Sequence, residues 1–132
     1  MIIYAEGGTS NGTHIMKFKR GAFVSNLAIQ PYVQKYRSFL TCPVYDTPSF
    51  LDYNVLLCLA PFASFTVYKM PPFIPNDYMY EHHASKGTEK WEIYAECLRE
   101  AMAEAGQMPT SDMPFRKKVE YETYFVKTPG GM

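Results

Sequence analysis

The sequence has three cysteines, Cys42, Cys58 and Cys97, and no Cys-x-x-Cys pair. An odd number without paired spacing excludes a disulfide framework and a zinc-binding knuckle. Three reduced thiols in a cytosolic environment are expected instead. Net charge is missing as well: thirteen Lys and Arg balance thirteen Asp and Glu. Without a net positive field, nucleic acid is excluded as an expected partner. No basic start followed by an apolar run opens the chain, so no signal peptide is read. The longest apolar stretch, Val55 to Val67, is broken by Pro61 and Ser64. It falls short of the roughly 20 residues that a spanning helix needs. A membrane contact is left as a surface contact only.

Aromatic residues are abundant, at 16% of 132 residues, with eleven Tyr and nine Phe. Such side chains supply a core first and a greasy surface second. The length fits one domain. Asn11-Gly12-Thr13 matches a glycosylation sequon, but it falls in a loop read below as a binding loop on the cytosolic side. His82 and His83 are adjacent in an irregular stretch and are read as exposed, with no catalytic or metal role.

Periodicity predicts an alternation of strands and helices. Residues 1–4 read as a short buried strand and residues 15–27 as a helix, with Ile15, Phe18, Ala22, Phe23 and Leu27 on one side. Residues 28–36 read as a strand bent at Pro31, residues 51–62 as an apolar helix ending near Pro61, and residues 65–70 as a strand with Phe65, Val67 and Lys69 on one face. Pro71-Pro72 stops that strand, and residues 73–87 read as an irregular loop. A helix follows from an N-cap at Thr88 to a stop at Gly106, with Trp91, Ala95, Leu98, Met102 and Ala105 recurring at helical steps. The polar, Pro-containing tail from Met108 is expected to be partly disordered. Strand-helix alternation predicts an α/β fold: a partial, mixed but largely parallel sheet flanked by helices. A strand opening the chain and a sheet so thin both suggest that upstream sequence is missing.

The most informative stretch is the loop Tyr4-Ala5-Glu6-Gly7-Gly8-Thr9-Ser10-Asn11-Gly12. Glycines let the backbone approach a ligand, and successive N–H groups form anion-binding nests. A helix N-terminus after the loop would add positive potential. The hydroxyls of Thr9 and Ser10, the Asn11 amide and the cations Lys17, Lys19 and Arg20 complete a set suited to a phosphate ester. A solvated turn rich in small residues is the plain alternative. The glycine spacing of Gly7 and Gly12 matches a nucleotide P-loop, but Thr13 and His14 stand where Lys and Ser/Thr belong. Nucleotide binding is thereby disfavoured. The second basic run, Arg116-Lys117-Lys118, reads as a solvated face.

Glu6 to Gly12, followed by Phe18-Lys19-Arg20-Gly21-Ala22-Phe23, resembles the glycerol-3-phosphate and lysophospholipid acyltransferase family. That family carries a Glu-Gly-Thr block and then Phe-Lys-x-Gly-Ala-Phe. Ile29-Gln30-Pro31-Tyr32-Val33, Tyr68-Lys69-Met70-Pro71-Pro72 and the helix from Trp91 to Ala105 look like its later blocks. The resemblance covers residues 1–125, as the C-terminal part of the family's domain, with 126–132 a flexible tail. It implies an acyl-CoA-dependent transfer to a hydroxyl of a lysophospholipid or glycerol phosphate, in phospholipid biosynthesis or remodelling. Acyl-CoA is then a co-substrate and no cofactor or metal is implied. The location implied is the cytosolic face of the endoplasmic reticulum membrane. Glu6, Gly7, Gly8, Thr9, Ser10 and Lys19 are the implied substrate-binding residues. Glu6 is expected to bond loop amides or pair with a base, since a carboxylate repels phosphate.

Two positions depart from the family's pattern: Ala5 replaces a proline, and Gly8 replaces the threonine after Glu-Gly, removing a hydroxyl. A larger departure is that no His-x-x-x-x-Asp motif occurs. The residues five beyond His14, His82 and His83 are Lys19, Gly87 and Thr88. No catalytic residue is therefore assigned, and the chain is expected to be a truncated piece without transferase activity of its own. The alternative is a non-catalytic half-domain that binds phospholipid or a partner.

Overall fold

The computed structural model describes residues 2–8, 10, 12–38, 50–59 and 62–127. Its framework is one long helix, α3 (Lys90–Gly106), with a two-stranded ribbon and a short helix laid against it. The ribbon pairs β1 (Tyr32–Ser38) with β2 (Ala63–Lys69), and α1 (Phe50–Leu59) lies between the two strands in sequence. Helices α2 (Asp77–His82) and α4 (Phe115–Lys127) precede and follow α3.

Helix α3 forms where the periodicity places it. Its start is a capping box. The Glu89 carboxylate accepts from the amide of Glu92, whose own carboxylate accepts from the amides of Thr88 (2.7 Å) and Glu89 (3.2 Å). The N-cap is thus Glu89, one residue after the threonine predicted for it. Gln107 takes the left-handed conformation at the other end, with φ 49°. Gly106 allows a close approach there. A Cβ on it would come within 2.9 Å of the Val33 side chain, so β1 crosses the end of α3 nearly in contact.

The core lies on the inner face of α3. Ile93, Tyr94, Ala95, Cys97 and Leu98 pack with Phe23 and Met79. Tyr94 is its centre, edge-on to Phe23 at 5.3 Å and stacked on Phe73 at 5.8 Å. Its hydroxyl donates to the Leu27 carbonyl (2.9 Å) and lies 3.2 Å from that of Phe73. Burial pushes this phenol up to about 12, with the neighbouring Tyr80 adding to the shift and a backbone hydrogen bond opposing it.

Several sequence expectations are corrected. Ile2 and Tyr4 are 89% and 77% exposed, and residues 2–4 form no strand among the described residues. Residues 15–27 are not a helix: they run extended to a single 3-10 turn, Arg20–Ala22. Consecutive Ile15 and Met16 are both buried, and Phe18 and Phe23 must both reach the core. Their backbone bonds go elsewhere: the Ile15 amide donates to the Pro109 carbonyl and the Lys19 amide to the Ala5 carbonyl, so no helical ladder forms. The stretch read as an irregular loop contains α2, capped by Asn76, whose side-chain oxygen accepts from the Met79 amide at 2.8 Å. The tail read as disordered forms α4, with an Arg116–Glu120 pair one turn apart and the Thr123 hydroxyl donating to the Val119 carbonyl. Residues 128–132, most of the expected tail at 126–132, lie outside the described residues.

The described strands form a single pair. Its strands are antiparallel, with Tyr32 opposite Lys69 and Ser38 opposite Ala63. The expected largely parallel sheet is not seen among the described residues. The sole parallel pairing there is an isolated bridge, Ile15 to Thr110. Phe65, Val67 and Lys69 share one face as expected. Their partners Tyr36, Gln34 and Tyr32 face the same way, away from Val33 and α3.

Candidate functional site

The glycine-rich loop is held by ties at its base. The Lys19 amide donates to the Ala5 carbonyl at 2.7 Å, closing residues 5–19 into an Ω-like loop. The Gly7 amide donates to the Tyr4 carbonyl at 3.0 Å, and Gly7 sits at φ 76°, a region that strongly favours glycine. Ile15 donates to the Pro109 carbonyl and accepts from the Ser111 amide, both at 2.9 Å. The segment after α3 therefore clamps the loop.

Glu6 faces inward. One carboxylate oxygen accepts from the Met16 amide at 3.0 Å, across the loop. Burial pushes the Glu6 carboxyl up, while the Met16 hydrogen bond and the positive charge of Lys118 pull it back. Glu6 is a loop brace that bonds an amide, in the manner its sequence position suggested. Lys118, read as a solvated surface residue, is brought near it by α4. That proximity had no local sequence signal, since it depends on how α4 folds back.

Lys19 lies over the loop. Its Nζ is 3.4 Å from the Gly7 carbonyl, and its Cδ, Cε and Nζ occupy the space beside the Gly7 α-carbon. The Phe-Lys-Arg-Gly-Ala-Phe stretch explains this placement. Phe18 and Phe23 stack at 5.8 Å and plant the strip against Tyr94, which leaves Lys19 and Arg20 pointing outward. Gly21 has open space around its α-carbon, so steric room does not explain the glycine there.

Of the other loop residues, Ser10 pairs with Gly12, whose amide donates to its hydroxyl at 3.4 Å. Gly8 lies half-buried between the Gly7 turn and Ser10. Thr9 and Asn11 lie outside the described residues. The structure thus brings together Glu6, Gly7 and Lys19 at the base. It also changes the electrostatic reading of the loop. No helix N-terminus follows it, and the Gly7 amide is used within its own turn. Attraction for an anion rests on Lys19, with the exposed Lys17 and Arg20 close by in sequence.

Behind the loop stands Arg99 of α3, 3% exposed. Its guanidinium binds Glu96 and reaches Asp112 at 3.2 Å, and its Nη1 donates to the Ser111 carbonyl at 2.9 Å. Arg99 therefore fixes the residue whose amide holds Ile15. The histidines contribute nothing to the loop's base. His82 stacks on Tyr78 in α2, and His14 pairs with the Thr13 hydroxyl at 2.8 Å. Among the described residues no group of three His, Cys, Asp or Glu side chains is placed to hold a metal ion.

The chain matches curated proteins along nearly its whole length. It is 31% identical over 119 residues to a lysophosphatidylcholine acyltransferase of Drosophila melanogaster, covering 87% of this chain and 20% of that protein. The resemblance is to lysophospholipid acyltransferases. A lysophosphatidylcholine acyltransferase 2B of Rattus norvegicus is 29% identical over 119 residues, again 87% of this chain and 21% of the relative. A lysophospholipid acyltransferase of Arabidopsis thaliana is 26% identical over 121 residues, 92% of this chain and 28% of the relative. The chain thus spans about a fifth to just over a quarter of the length of the curated relatives it matches. No family model matches the chain, and no solved structure matches it. The matches support an acyltransferase family at the level of these names.

Proposed function

We propose that this chain forms the acceptor-binding part of an acyl-CoA-dependent acyltransferase. The acceptor is a lysophospholipid or glycerol phosphate, whose free hydroxyl attacks the acyl thioester and releases CoA. The observation that carries the reading is the position of Lys19 over the Gly7 turn, on a loop braced by Glu6. An ammonium resting beside a glycine turn suits a phosphate ester. The acyltransferase matches make a phosphate-bearing lipid its natural occupant.

In this reading Lys19 binds the acceptor phosphate, and Glu6, Gly7 and Gly8 hold the loop's shape. Ser10 supplies a hydroxyl from the loop, and Thr9 is assigned a second by its place in the sequence. The general base that deprotonates the acceptor hydroxyl is not assigned to these residues, because no His-x-x-x-x-Asp motif occurs among them. In the same reading, the ribbon and α3 are one portion of a wider α/β domain acting at a membrane surface, on the cytosolic face of the endoplasmic reticulum.

Titration of glycerol 3-phosphate into the protein, followed by backbone amide NMR, tests the loop's role. Shifts at Gly7, Gly8 and Lys19 that vanish in Lys19→Gln support it; no shifts at the loop refute it. Incubated with acyl-CoA and a lysophospholipid, these 132 residues alone are expected to release no CoA. The missing motif also favours a second reading, a non-catalytic half-domain that binds phospholipid. Phosphate binding at the loop in a longer natural form that still lacks acyl transfer would favour it.

A further inference from the structure

Beyond the loop, the ribbon carries a feature that acyl transfer leaves unused. Its rungs run from Tyr32 opposite Lys69 to Ser38 opposite Ala63, about 20 Å at ~3.3 Å per residue. The Tyr32 end continues into the Ile29–Phe73 bridge, where Phe73 stacks on Tyr94. The other end leads away from the core, and α1 ends within a few residues of it, before β2 begins at Ala63.

Past a first half that holds Asp52 and Asn54, helix α1 is apolar all round from Val55 to Leu59. Leu51, Leu59 and the following Phe62 are 75%, 69% and 80% exposed, and Val55, Leu56 and Leu57 are exposed as well. Asp52 is its single charged residue. Among the described residues, α1 makes no extended packing contact with another helix or strand. A helix that docks in a protein groove, or on a second copy, needs one apolar side. A helix apolar on every side needs surroundings apolar on every side. Its ten residues span about 15 Å, half the hydrocarbon thickness of a bilayer. They can enter one leaflet and cannot cross.

The ribbon behind α1 fits the headgroup layer. Strands β1 and β2 carry Lys35, Arg37 and Lys69 and no acidic residue. Exposed Tyr32, Tyr36, Tyr68 and Phe65 lie among them, with Tyr36 and Phe65 paired at 6.0 Å. Aromatic rings and snorkelling cations are the side chains that settle at a membrane–water boundary. The positive charge is complementary to anionic lipid.

We propose that α1 and Phe62 form a tip that inserts into one leaflet of an anionic membrane, with the β1–β2 ribbon as its basic, aromatic collar. The inference is read from the tip and ribbon alone, and gives the proposed acyltransferase a defined way to reach a lipid acceptor.

Cys58 lies exposed on α1 and Cys97 is buried, so a Cys42→Ser chain labelled at Cys58 with an environment-sensitive fluorophore reports on the tip. Vesicles of phosphatidylcholine with a minority of phosphatidylserine should shift its emission to the blue and brighten it several-fold. Lipids brominated in their acyl chains should quench it. Leu56→Asp with Leu59→Asp should weaken vesicle co-sedimentation about tenfold or more. If that variant fails to fold, the labelled wild-type tip still decides. Absence of vesicle binding, or binding with an unchanged probe, overturns the proposal. A probe already shielded without lipid, in a protein of doubled mass, overturns it in favour of a second copy. Glycerol 3-phosphate titration without vesicles tests the loop separately, so either idea can fail alone.

Discussion

The ammonium of Lys19 lies 3.4 Å from the carbonyl oxygen of Gly7, and the lysine's Cδ would clash with a Cβ on residue 7. Two features favour glycine here: its φ of 76°, and the far end of the flexible Lys19 side chain resting where a Cβ would stand.

Gly7→Ala separates these features. The clashing atoms are the far end of a flexible side chain, so the lysine can move aside. The left-handed backbone cannot be relieved in that way and should cost about 1–2 kcal/mol. We expect that loss in urea unfolding, with the same loss when Lys19 is already alanine. A much smaller loss in the Lys19→Ala background would show that the lysine contact carries the cost instead.

Lys19→Gln keeps length and hydrogen-bonding capacity but removes charge. Affinity for glycerol 3-phosphate should fall roughly tenfold, or about 1.4 kcal/mol, and the wild-type affinity should weaken as salt rises. Calorimetric titration at two ionic strengths reads both. Equal affinities for the two proteins would remove Lys19 from the site.

Glu6 gives a pH signature. Burial raises its folded carboxyl above the ordinary glutamate value despite the Met16 amide and Lys118. In the window between those two values the folded chain holds more protons than the unfolded chain. Glu6 thus contributes most below the ordinary value, and its contribution is lost as pH rises through the folded one. Glu6→Gln retains an oxygen for the Met16 amide and cannot ionise. The stability difference, wild type minus Glu6→Gln, should therefore decline with rising pH across that window. A difference that grows, measured by urea unfolding at several pH values, would contradict the buried carboxyl.

Arg99→Met tests the clamp behind the loop. It removes the donor to Ser111 and leaves Glu96 and Asp112 without their cation. Asp112 is largely exposed, so water compensates part of the loss. A destabilisation of about 2 kcal/mol is expected. Amide exchange at Ile15 and Ser111 should accelerate more than exchange at Leu98, because the tie between segments is broken while the helix persists.

Local signals made α3, the apolar α1 and the shared face of Phe65, Val67 and Lys69 legible in the sequence. Each depends on periodicity and on neighbours within one turn or one strand. The same signals failed for residues 15–27. Phe18, Ala22 and Phe23 have near-helical spacing, but the Ile15 and Lys19 amides are spent on the distant Pro109 and Ala5 carbonyls, which keeps the chain extended. They failed too for α2 and α4, whose Asn76 cap and Arg116–Glu120 pair are weak marks among prolines and charges.

The sequence by itself determined that a glycine turn would precede a Lys between two phenylalanines, and that α3 would be a capped amphipathic helix. Those features rest on backbone freedom and side-chain spacing, which are local. Tertiary structure alone decided that Phe18 and Phe23 stack on one another, which turns Lys19 back over Gly7. It also placed Arg99 behind Ser111 and set the direction of the β1–β2 pairing. Most of these relations join residues a dozen or more apart in the chain, and all are selected by which burial and hydrogen bonds can be satisfied together.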